Sequence, residues 1–193
     1  MNKWKLSLLF TGMAFLVVSV AAVGNGIAAS QEAAPSAPAL DLSSDIQSPG
    51  SEVSLTLSLS VPDGVEIGKV ISEITYPGKL LIFEEAKRGL SAEAIGAEVN
   101  AVLEPSASNP DDSVLRVTVT AKADDSIPPG MVADLMFKIS EKAPNEQSIP
   151  LKNKVTAWTP KTPPMPVESM TGKDGEVQVT ATPPVFACFF YMH

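Results

Sequence analysis

Carboxylates are the chemically capable side chains this sequence holds in number: 22 Asp and Glu, some in adjacent pairs at Glu84-Glu85, Asp111-Asp112 and Asp124-Asp125. Two facing carboxylates can serve as acid and base on a glycosidic bond. Neighbours along a strand point to opposite faces, so no adjacent pair is itself such a couple, and solvated turns and a strand end account for them. Calcium is the better use of Asp111, Asp112, Asp124 and Asp125, because oxygen-rich turns can meet in space. Their spacing nevertheless lacks the alternating ligands of an EF-hand. A Ser-His-Asp or Cys-His centre needs an imidazole, and the sequence has one, His193, at its far end. One His and one Cys also leave too few soft ligands for zinc. Cys188 has no second cysteine to pair with and no cation but His193 to lower its pKa, so it reads as a candidate intermolecular disulfide rather than a nucleophile. No enzyme and no cofactor are expected from this inventory.

Sugar binding by a β-sandwich asks for a flat row of aromatic rings. Beyond residue 30, Phe186, Phe189, Phe190 and Tyr191 fall in the last nine residues, which leaves Tyr76, Phe83, Phe137 and Trp158. Phe83 and Phe137 stand at core phases of their strands, and Tyr76 reads as core or turn packing more than as a ligand platform. Trp158 is the exposed candidate. Carbohydrate binding would need Trp158 and Tyr76 exposed and coplanar, and polysaccharide is therefore a weaker partner class than protein.

The elements that carry these residues are strands. All 17 prolines lie beyond residue 30, about one residue in ten against a usual ~5%, a density that breaks long helices. Val53, Leu55, Leu57, Leu59 and Val61 alternate with Ser and Thr, the period of a half-buried strand, and Pro62-Asp63-Gly64 closes it. Val70, Ser72, Ile74 and Tyr76 alternate again up to Pro77-Gly78, and Leu80 to Phe83 begins a further strand. Residues 90–103 fit both periods and are read as a short helix or loop followed by a strand from about residue 97. Strands follow over 114–120, 131–139 and 149–158. A proline-rich excursion occupies 160–174, and Gly175 to Thr180 closes the series. This spacing predicts an all-β chain, an antiparallel β-sandwich of about seven to nine strands.

The termini read differently. Lys3 and Lys5, an apolar run from Leu6 to Val23 and small residues from Gly24 to Ser30 make residues 1–30 a secretory signal peptide, with cleavage expected around 28–30. An uncleaved anchor is the alternative, since the run approaches the ~20 residues that span a bilayer. The remainder carries 12 basic and 22 acidic residues. That acidity argues against nucleic acid and anionic lipid as partners. Residues 31–49 are rich in Ala, Ser and Pro and read as a flexible leader, so the sandwich is expected over 50–181. Residues 182–193 form an apolar tail ending VFACFFYMH, with three uses in view: packing on its own domain, β-augmentation of another chain, or a disulfide through Cys188.

From Gly50 to Thr180 the order of features resembles the cohesin domain, a jelly-roll-like bacterial β-sandwich. SEVSLTLSLS after Pro49-Gly50 looks like that family's first strand. GKVISEITYPGKLLIFEEAKRG is similar to its strand ending in Tyr, proline turn, apolar strand and glycine. IPPGMVADLMFKIS resembles its glycine-led strand with a central Phe, here Phe137, and GKDGEVQVT its last strand out of an Asp-Gly turn. The Asp that family usually places between Tyr and Pro is missing at Tyr76-Pro77. The resemblance implies a non-enzymatic, exported module, secreted or held at the cell surface or in the periplasm. Its implied partner is a dockerin-like domain, on a polysaccharide-degrading enzyme or a surface protein, whose own loops hold the calcium. One exposed sheet face would bind it. The alternatives are a carbohydrate-binding module of the same class and a structural or adhesive envelope subunit assembled through the tail.

Overall fold

The computed structural model describes residues 37–122 and 125–181. The expected signal peptide, the tail with Cys188 and His193, and Asp124 lie outside the described residues. In chain order the strands are β1 (Ala39–Leu42), β2 (Asp45–Gln47), β3 (Glu52–Ser60), β4 (Lys69–Pro77), β5 (Leu81–Arg88), β6 (Glu98–Pro105), β7 (Asp112–Thr120), β8 (Gly130–Ile139), β9 (Ser148–Trp158), β10 (Thr171–Lys173) and β11 (Gly175–Val179), with one short helix, α1 (Leu90–Ala94), between β5 and β6. They form a β-sandwich of two sheets, in the orders β10-β1-β3-β8-β5 and β2-β11-β9-β4-β7-β6.

The strands form where alternation puts an apolar row on one face. In β3, Val53, Leu55, Leu57 and Leu59 are buried while the Ser and Thr between them face outward. In β4 the inward row is Val70, Ser72, Ile74 and Tyr76. Between the sheets Phe137 holds two edge-to-face contacts, with Tyr76 at 5.3 Å and Phe83 at 5.6 Å between ring centroids. The ambiguous stretch resolves into α1 followed by β6. Gly96, at φ +60, stops the helix, and the N–H groups of Gly96 and Ala97 donate to Glu93 and Ala92.

Three expectations need correction. Eleven strands form rather than about seven to nine, because the chain ends of the sandwich are each split between sheets. The sheets are mixed rather than purely antiparallel, since β1 lies parallel to β10 and β2 parallel to β11. Strands also begin inside the stretch read as a leader, at Ala39, because Leu40 and Leu42 are 1% and 2% exposed and belong to the core.

At each split the chain leaves one sheet for the other, and side chains satisfy the backbone groups freed there. Ser43 Oγ accepts from the Thr56 N–H at 2.8 Å, and Ser44 Oγ from that of Glu176 at 3.0 Å. On the C-terminal side, Asp174 accepts from the Asn153 N–H at 2.7 Å. Gly175 packs against Ser43 O and Leu42, where a β-carbon would collide with both. The buried Asn153 side chain then ties the sheets together. Its amide donates to Leu40 O at 2.8 Å and Lys173 O at 3.3 Å, and its oxygen accepts from Ser72 Oγ at 2.7 Å.

Candidate binding face

Each sheet has one outer face, and the two differ in chemistry. On the five-stranded sheet the outward side chains of β3 are Glu52, Ser54, Thr56, Ser58 and Ser60, facing Lys138, Met136 and Asp134 of β8, with Ser54 Oγ donating to Asp134. That central stretch is polar, and the apolar exposure of this face lies at its edge, where Ile82 of β5 is 51% exposed. On the six-stranded sheet, register lines up four cross-strand rows over β9, β4, β7 and β6. Trp158, Lys69, Thr120 and Glu98 form the first; Thr156, Ile71, Thr118 and Asn100 the second. Lys154, Glu73, Arg116 and Val102 form the third, and Lys152, Thr75, Val114 and Glu104 the fourth.

Arg116 organises the middle of this face. Its guanidinium donates to Glu73 Oε1 at 2.9 Å and lies 3.4 Å from Glu104 Oε1, so it links side chains of three adjacent strands. All three side chains remain 34–43% exposed. Ile71, Val102 and Val114 place apolar patches around that network, and Val102 is 46% exposed. Charge is unevenly spread: Lys152, Lys154 and Lys69 lie toward β9 and β4, Glu98 and Glu104 on β6. Apolar patches, an ordered Arg and a charged surround are what a protein-binding surface presents, whereas the centre of the other face, on β3, is a row of Ser and Thr.

The expected site residues are placed otherwise. Tyr76 is 2% exposed, in the core. Burial pushes its phenol up to about 12, and the backbone hydrogen bond with Phe83 pulls the other way without cancelling it. Trp158 is half-buried, with the Lys69 ammonium 5.6 Å from its ring centroid. The two lie toward opposite ends of their paired strands, so they form no common stacking platform. Among the calcium candidates, Asp111 is paired with Lys79, and Asp125 sits in a turn whose N–H donates to Lys122 O. Asp111 and Asp112 precede β7 or begin it and Asp125 follows it, so a strand of roughly 27 Å separates the two turns. Among the described residues no three His, Cys, Asp or Glu gather. Glu84 and Glu85 lie at a bulge in β5, with Glu85 beside Lys87.

Sequence reasoning missed Arg116, Lys152 and Lys154 as face residues. Nothing local says that β9, β4, β7 and β6 lie side by side.

No protein-family model and no curated protein matches the chain. Solved structures do. The third cohesin of ScaC from Acetivibrio cellulolyticus, determined with a ScaB dockerin, superposes with a TM-score of 0.60 at 14% identity, over 75% of this chain and 99% of that one. The OlpA cohesin of Clostridium thermocellum, from its complex with Doc918, gives 0.59 at 17% identity, over 74% and 99%. A non-cellulosomal cohesin from the hyperthermophilic archaeon Archaeoglobus fulgidus gives 0.53 at 12% identity, over 75% and 91%. The chain has the cohesin fold.

Proposed function

We propose that this chain is an exported, non-enzymatic binding module that holds a dockerin-like protein domain on the outer face of β9, β4, β7 and β6. The observation that carries the reading is the pairing of a cohesin fold with one outer face built of apolar side chains around an ordered Arg116 network. Ile71, Val102 and Val114 supply apolar contact, and Lys152 and Lys154 offer two unburied ammonium groups to an acidic or carbonyl-rich helix end. Residues 1–30 direct the module out of the cell. A polysaccharide-degrading enzyme is the class of protein that would carry the partner domain.

Calorimetric titration of residues 31–193 with the dockerin domains encoded in the same genome, calcium present, tests this. At least one is expected to bind saturably, and the double reversal Lys152→Glu with Lys154→Glu is expected to weaken it about tenfold or more. Silence from every dockerin, with a folded protein in the cell, overturns the reading.

A further inference from the structure

The free edges of the two sheets are not equally protected. β2 and β10 are three residues each, too short to template another strand. β5 is interrupted by a register shift between Phe83 and Glu85 and carries Glu84, Glu85, Lys87 and Arg88. β6 differs from all three: eight residues long, it pairs with β7 in unbroken register, and no other described strand pairs with it. Its backbone groups on the far side are open. Leu103 stands opposite the fully buried Leu115 yet is 52% exposed, so a core row runs out to this edge and ends half bare. Val102 beside it is 46% exposed on the other face.

The sequence supplies a strand of matching chemistry. Residues 185–191, VFACFFY, are uncharged and rich in aromatic side chains, the composition of a strand apolar on both faces. Period two divides them into Phe186, Cys188 and Phe190 on one side and Val185, Ala187, Phe189 and Tyr191 on the other. One row would prolong the layer of Leu115 and Leu103, and the other would lie beside Val102 at the margin of the face assigned to the partner domain, so assembly and partner binding would compete for that residue. We propose that residues 185–191 of one copy add as a strand to the β6 edge of a second copy.

Reach decides between the same copy and another. Ala181 follows β11, which is four strand spacings from β6 in the sheet order, ~19 Å at the usual spacing. The four residue-to-residue steps from Ala181 to Val185 extend at most ~14 Å. Pairing of 185–191 along β6 therefore takes a neighbouring copy. Donor and acceptor surfaces are different, so the contact is head-to-tail and leaves an open edge at one end and an open tail at the other, to which further copies add.

The test is molar mass in solution by light scattering across a range of concentrations, in reductant, for residues 31–193, which include every described strand. The intact protein is expected to give concentration-dependent multiples of the protomer. Deleting 183–193 is expected to give the protomer alone, and so is Val102→Lys with Leu103→Lys. Val102→Lys by itself, at an exposed position, serves if the double variant loses its circular dichroism. Mixing the tail-deleted and edge-blocked proteins is expected to restore a one-to-one complex and no more, because one supplies the edge and the other the tail. A protomer mass for the intact chain at every concentration overturns the proposal. So does assembly that survives blocking of the edge, or assembly that exists only without reductant and vanishes in Cys188→Ser.

Discussion

Asn153 shows how one polar side chain can join two sheets. It stands on β9 at a core phase, where a Leu or Val would fit the alternation, and every hydrogen-bonding site its side chain has toward β1, β10 and β4 is used. Asn153→Ala is expected to cost about 3 kcal/mol in urea unfolding, because Ser72 Oγ and Leu40 O lose a buried partner together. Tyr76 sets a pH limit. Its folded-state pKa, raised from 10.0 to about 12, lies above the unfolded value, so the unfolded chain loses this proton first as pH rises. The stabilisation it gives is present below pH 10 and is expected to fade between there and 12, by on the order of 2 kcal/mol. Denaturation midpoints followed from neutral pH upward should fall over that window, and less steeply in Tyr76→Phe. The inward phase of Tyr76 was legible from Val70, Ser72 and Ile74 before it. The role of Asn153 was not, since its partners sit more than a hundred residues away in sequence at Leu40 and across the excursion at Lys173.

At the scale of elements, nearly every long strand was legible, because each carries enough alternating apolar residues to outweigh its surroundings. β1 and β2 were not. ALDL offers two inward leucines inside an Ala-, Ser- and Pro-rich stretch, and so short a row is a weak periodic signal although it is fully buried in the fold. Replacing Leu40 and Leu42 together by Ala is expected to lower stability by about 5 kcal/mol, at ~2–5 kcal/mol for each leucine deleted from a core. A flexible leader would show no change in the same urea experiment. β10 was hidden similarly, as three exposed residues whose place in the sheet comes from lying beside β1. The candidate face depends on the same kind of neighbour relation: Arg116 is outward by its own alternation, but it is bracketed by Glu73 and Glu104 only because β4 and β6 flank β7.

At the scale of the molecule, the N-terminal and C-terminal segments each contribute a strand to both sheets, so neither sheet is complete without them. Unfolding of residues 31–193 is therefore expected to be a single transition. Fluorescence of Trp158, the one tryptophan of that stretch, and far-ultraviolet circular dichroism should give coincident midpoints; a displaced fluorescence curve would mean that the sheets separate first. The sequence by itself determined the strand character, the inward and outward row of each long strand, the acidity and the poverty in catalytic side chains. All of these are local, written in composition and in a period of two. Only the tertiary structure decided which strands are neighbours, and with that which rows become a binding face, which edge stays open and which polar residues meet inside. The physical reason is that strands are joined by backbone hydrogen bonds common to every residue type, so lateral order is selected by packing between distant segments rather than by any one segment's pattern.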